Sequence, residues 1–149
     1  MRVLIMSLFV AGCATVPPAA TVSLPGPAIF RAPEVAGPDV EFAAYVRIVN
    51  AGATGDRLLS LSCTCAERVE IHNTNPQGMH VLPHLDLPAG ATTDVRPGGS
   101  THLMLIGAKQ VYRAGDVVQI TLSFASGASM TTSFTGVGSS AEGWKAAGG

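Results

Sequence analysis

The chain has 149 residues, of which 47% are hydrophobic and 13% charged, and its net charge is -1. That length suits one domain rather than two, and the composition supports a packed core and excludes wide disorder. Its two lysines, Lys109 and Lys145, make no basic footprint for nucleic acid and no strong attraction to anionic lipid.

The first stretch, MRVLIMSLFVAGC, has a positive Arg2 followed by a short apolar run from Val3 to Val10. The run is too short to cross a bilayer and has the form of an export signal. Its ending, Val10-Ala11-Gly12-Cys13, resembles a bacterial lipobox. The resemblance implies a signal peptide over 1–12 and a lipid anchor on Cys13, with no transmembrane helix. An ordinary signal peptide with a chance cysteine is the competing reading. Ala14, where an aspartate would favour the inner membrane, leans the expectation toward the outer one. Residues 13–28 are then expected to form a Pro/Ala-rich tether, semi-rigid and extended, with a plain disordered tail as the competing reading.

From Glu41 onward, short apolar runs are split by turn residues. Phe42, Ala44, Val46 and Ile48 alternate along EFAAYVRIVN, and Val118, Ile120, Leu122 and Phe124 alternate along VVQITLSF. Further strand-like runs cover 57–62, 69–72, 92–95, 102–106 and 129–134. Asn50–Asp56, Pro88-Ala89-Gly90 and Pro97-Gly98-Gly99 break them. Many short strands at this spacing predict an all-β sandwich or barrel over 29–136. The Gly/Ala/Ser-rich end, 137–149, is expected to be a flexible tail.

Four soft or borderline metal ligands stand out in the middle of the chain: His72, Met79, His102 and Met104. Thioether sulfur with imidazole nitrogen suits Cu(I), whereas Mg²⁺ and Ca²⁺ want oxygen ligands. On strands, His102 and Met104 share one face while Leu103 and Leu105 take the other. In Val69–His72, Glu70 and His72 likewise share a face. Met79 follows the turn signal Pro76-Gln77-Gly78, so a loop and two strand ends would bring the four groups to one rim. Glu70 is placed to hold His72, although a solvated carboxylate is the plainer expectation. His80 is a substitute for Met79; His84 reads as a loop histidine.

Cys63-Thr64-Cys65 admits three readings. In an exported protein the two thiols form a disulfide; as thiolates they add soft copper ligands; or they are plain small residues. The redox-active or copper-contacting role is slightly favoured here. No G-x-S-x-G elbow and no H-E-x-x-H motif is present, so neither a hydrolase nor a zinc protease is indicated.

From about Phe42 to Thr135 the chain resembles the periplasmic copper chaperones of the PCuAC type. The motifs that carry this are AYVRIVN (44–50), DRLL (56–59), VEIH (69–72), LPAG (87–90), PGG (97–99) and HLMLIG (102–107). The resemblance implies a cupredoxin-like Greek-key β-sandwich that carries copper and is not an enzyme. His72 matches the family's first histidine, Met79 its mid-loop methionine, and His102 with Met104 its closing His-x-Met pair. It further implies Cu(I) as cargo, with Cu(II) as a second option. The receiving partner would be a cuproprotein such as the CuA subunit of cytochrome c oxidase, or another copper chaperone. Two other classes stay open: a non-metal β-sandwich lipoprotein serving as an interaction module, and a copper storage or resistance protein that uses Cys63 and Cys65.

Overall fold

The computed structural model describes residues 21–149; the export segment and Cys13 lie outside them. Among the described residues are eleven strands and one short helix. In chain order they are β1 (Val22–Ser23), β2 (Ala28–Arg31), β3 (Gly37–Asn50), β4 (Asp56–Ser62), β5 (Ala66–Asn75) and β6 (Gly78–Leu82). There follow β7 (Leu85–Leu87), β8 (Ala91–Val95), β9 (Thr101–Ala108), β10 (Val117–Phe124), β11 (Ser129–Val137) and α1 (Ser140–Ala146). The ladders run β6–β5–β9–β3–β2–β11–β10–β4–β7, with β1 and β8 added to β3. All are antiparallel except β2–β11. A further β4–β5 pairing at Leu61 and Val69 closes the sheet on itself, giving the expected all-β sandwich.

The period-two patterning explains the core. Phe42, Ala44, Val46 and Ile48 of β3 and Val118, Ile120, Leu122 and Phe124 of β10 all point inward and are buried. Each large apolar side chain withdrawn from water contributes about 1.5–3 kcal/mol. Phe30, Phe42 and Tyr112 pack as an aromatic cluster with ring centroids 5.7–5.9 Å apart. The Tyr112 hydroxyl, buried with them, donates to the Cys65 carbonyl at 3.1 Å, so its polar end is satisfied.

The antiparallel ladders define two ends. Connections 51–55, 76–77, 88–90, 96–100 and 125–128 lie at the end reached by Asn50 of β3; connections 32–36, 63–65 and 109–116 lie at the other. Buried polar groups fasten the first end. Asn50 donates to the Thr54 and Leu87 carbonyls and accepts from the Gly52 amide. Asp56 accepts from the Arg57 and Ser126 amides and the Ser126 hydroxyl. Burial works to raise the Asp56 pKa, but these hydrogen bonds outweigh it and hold the carboxyl below its ordinary value.

The ordered body extends beyond both expected bounds. Val22 and Ser23 pair with Asn50 and Val49, so the Pro/Ala-rich stretch is already part of the sheet by residue 22. At the other terminus, 137–149 is not a loose tail. Ser139 caps α1 by accepting from the Glu142 amide, and Trp144 is buried. The Arg47 guanidinium lies 6.0 Å from the Trp144 ring centroid and donates to the Gly148 carbonyl. A seven-residue helix is too short to stand on propensity; docking of Trp144 holds it.

Candidate metal centre

β5 and β9 pair so that His72 faces His102 and Glu70 faces Met104 on successive like-facing rungs. Ile71, Leu103 and Leu105 take the opposite, core-facing side and are at most 3% exposed. The alternation in VEIH and HLMLIG therefore sends Glu70, His72, His102 and Met104 to one outer face. The two imidazoles meet edge to face, with centroids 5.8 Å apart.

His72 is 6% exposed. Its Nε2 lies 2.8 Å from Glu70 Oε2. A carboxylate only accepts, so Nε2 carries the proton and donates. Nδ1 is left with a bare lone pair, and among the described residues it is buried without a hydrogen-bond partner. Leaving such a group unpaired costs about 1–3 kcal/mol, so it calls for an explanation. Glu70 also accepts from Arg68 Nε at 2.9 Å. The bond from His72, then that from Arg68, holds the Glu70 carboxyl below its ordinary value. Glu70 is thus the orienting partner of His72 rather than a solvated carboxylate. Burial, and next the neighbouring His72, push the His102 pKa down, which keeps its imidazole neutral and able to donate a lone pair.

Met79 is not in a loop. Asn75 and Gly78 pair across the two-residue turn Pro76-Gln77, and Met79 lies on edge strand β6 opposite Thr74. Gly78 takes φ +121, which side-chain-bearing residues rarely adopt, and so completes the hairpin. Val81 faces His72, so Met79, two residues away, is on the same outer face, one like-facing rung nearer the hairpin tip and half exposed. His80 points the opposite way by alternation and bonds Asn75 Oδ1 at 3.1 Å; the substitute role is corrected on that ground. His84 lies in the connection between β6 and β7, with Nε2 3.4 Å from Asp86 Oδ1.

The copper-ligand reading of Cys63 and Cys65 is also corrected. They form a disulfide, and a bonded sulfur offers no thiolate. They also sit at the wrong end. Cys65 precedes Ala66, which pairs with Ala108, six residues along β5 from His72, or about 20 Å. Among the described residues no group of three or more His, Cys, Asp or Glu side chains could hold a metal ion. A centre built on His72 and His102 would therefore have to draw its other donors from thioether sulfur.

The described residues thus form an all-β sandwich with a histidine pair and a methionine on one outer face. The family model described as "Putative lipoprotein LpqE-like" matches residues 20–135. The chain belongs to the LpqE-like family. A curated relative, "Putative lipoprotein Lxx21020" of Leifsonia xyli subsp. xyli, is 30% identical over 90 residues, which is 57% of this chain. The match spans 54% of that relative's length. Among solved structures, the apo PCuAC domain from PmoF1 superposes with a TM-score of 0.67 at 21% identity, covering 81% of this chain and 97% of that one. The copper-bound PCuAC domain from PmoF2 gives 0.65 at 20% identity, covering 79% and 93%. The Cu(I) form of DR1885 from Deinococcus radiodurans gives 0.60 at 24% identity, covering 82% and 80%. The fold is thus the cupredoxin-like sandwich of PCuAC domains.

Proposed function

We propose that this protein is a copper chaperone, a carrier and not an enzyme, that takes Cu(I) as cargo on the outer face of β5 and β9. His72 Nδ1, His102 and Met104 supply the donors, and Met79 closes over the ion from the edge strand. The observation that carries this reading is the buried Nδ1 lone pair of His72 beside a second neutral imidazole. Two imidazoles and two thioethers bring no charge to the ion and suit a soft monovalent cation. Such bonds exchange readily, and a position on the outer face, one strand in from edge strand β6, suits handing the ion on. The copper named in the PmoF2 and DR1885 structures supports the same cargo. Cu(II) is a weaker cargo, because thioether sulfur is a poor match for the harder ion. Lipidation of Cys13 would anchor the carrier outside the cytoplasm, with a cuproprotein such as the CuA subunit of cytochrome c oxidase or another chaperone receiving the ion.

The methionine methyl resonances test this. Stoichiometric Cu(I) is expected to shift the methyls of Met104 and Met79 and to leave Met130, on β11, in place. Three unmoved methyls would favour the interaction-module reading.

A further inference from the structure

The Cys63–Cys65 disulfide takes no part in the copper site, and its place in the fold is not that of a staple. It joins residues two apart in the chain, and the constraint that a bridge puts on the unfolded chain is smallest for the shortest loop. It lies within the connection between β4 and β5, which already pair at Leu61 and Val69. The connection is also fastened without it. The Cys65 carbonyl accepts from the Lys109 amide at 3.1 Å and from the Tyr112 hydroxyl at 3.1 Å, and Ala66 pairs with Ala108. Opening the bridge therefore leaves the strands and their turn in place.

The two sulfurs are not equivalent. Cys65 is 4% exposed and belongs to the core, whereas Cys63 is half-buried at its edge. A thiolate attacks one sulfur of a disulfide and expels the other. Of the two residues, Cys63 is the one that offers an approach from solvent. The Cys63 sulfur also accepts from the Cys65 amide at 3.2 Å. A hydrogen bond to the charged form of a group favours that form, so in the opened pair the thiolate settles on Cys63.

We infer that Cys63 and Cys65 are a redox-active pair that exchanges two electrons with a dithiol, at the end of the sandwich remote from His72. The first thiolate of the dithiol attacks the Cys63 sulfur. The Cys63–Cys65 bond breaks, a mixed disulfide forms on Cys63, and Cys65 leaves as a thiolate that takes up a proton. The second thiolate of the dithiol then attacks the dithiol's own sulfur in the mixed disulfide and expels Cys63. The dithiol ends as a disulfide, and the Cys63–Cys65 pair has gained two electrons and the protons the dithiol gave up. Copper binding plays no part in these steps.

The test uses the full chain with Cys13→Ser, so that only two sulfurs titrate. Reduced thioredoxin, a protein dithiol, and dithiothreitol, a small one, are each added to the folded oxidised protein, and free thiols are counted by mass after alkylation. The bridge is expected to open in both arms with the fold and the melting temperature little changed. Faster opening per mole by thioredoxin identifies a protein as the electron source; faster opening by dithiothreitol identifies a small molecule. At equilibrium in a glutathione buffer both forms are expected to be populated, whereas a structural bridge stays closed. Single variants read the order of attack. Cys65→Ser, with Cys63 free, is expected to take up glutathione from its disulfide at least about tenfold faster than Cys63→Ser. A bridge that stays closed in the glutathione buffer and in both dithiols until the protein is denatured, a fold lost on opening, or equal uptake by the two variants would overturn the inference.

Discussion

His72 and His102 stand directly opposite each other on the β5–β9 ladder, on the outer face of the sheet. They are thirty residues apart in the chain. Their meeting is a consequence of register: shifting either strand by one residue would turn its donors into the core and its apolar side chains out. Because Leu103 and Leu105 are fully buried, the core itself holds that register, and the donors are placed by the same packing that folds the domain.

The two faces of β9 are therefore expected to respond differently to truncation. Leu103→Ala empties a fully buried site and should cost about 2–5 kcal/mol. Met104→Leu keeps volume on a half-buried face and should cost less than about 1.5 kcal/mol. Chemical denaturation of the two apo proteins checks this. A Met104→Leu protein as unstable as Leu103→Ala would mean that Met104 is a core residue.

In the proposed site Glu70 would act on copper through His72. In Glu70→Ala the Nε2–H loses its acceptor, so neither the tautomer nor the ring orientation is held. A loss of about 10–100-fold in copper affinity is expected, in the range for partners of metal-bound imidazoles. Glu70→Gln, whose amide oxygen still accepts, should restore part of it. Stability should fall by about 1–3 kcal/mol, because the buried Nε2–H loses its acceptor, while the exposed pair with Arg68 adds little. Unchanged affinity in Glu70→Ala would remove Glu70 from the centre.

The response to pH follows from His102. Its folded pKa lies below the ordinary 6.5 because of burial and then His72. Between the two values the unfolded chain binds more protons, so stability rises with pH across that window. This contribution is complete above about 6.5 and is lost as pH falls through the folded value. Copper affinity should likewise be level above neutrality and weaken only in acid, where protons compete for the imidazole. His102→Gln should flatten the acid limb of the apo protein's melting curve against pH. An acid limb of the same slope would assign it to another group.

The disulfide is expected to be silent in copper binding. Cys63 and Cys65 lie at the far end of β5 from His72, joined to each other. A Cys63→Ser/Cys65→Ser protein should bind the same number of copper ions with the same affinity. Loss of one equivalent would revive the storage reading.

Much of this was legible in the sequence. The alternation in EFAAYVRIVN and VVQITLSF announced the inward faces of β3 and β10, and HLMLIG announced which way His102 and Met104 would point. Pairwise partners were not legible. The bond from His72 to Glu70 needed the burial that β6 and β9 impose, which a run of four residues does not display. Strand β6 was hidden because GMHVL has little alternation of polarity, so Met79 read as a loop residue and His80 as its understudy. The terminal helix was hidden because AEGWKA carries a glycine and a single anchor, Trp144, whose burial depends on Arg47 and the sheet. The Pro-rich start concealed β1, whose pairing is only two residues long.

The most direct test of the central claim is a Cu(I) titration against a competing chelator, comparing the wild type with His102→Ala and Met104→Leu. Each variant is expected to bind at least about tenfold more weakly than the wild type, a loss of about 1.4 kcal/mol, with its fold intact. Equal affinity in all three proteins would contradict the account.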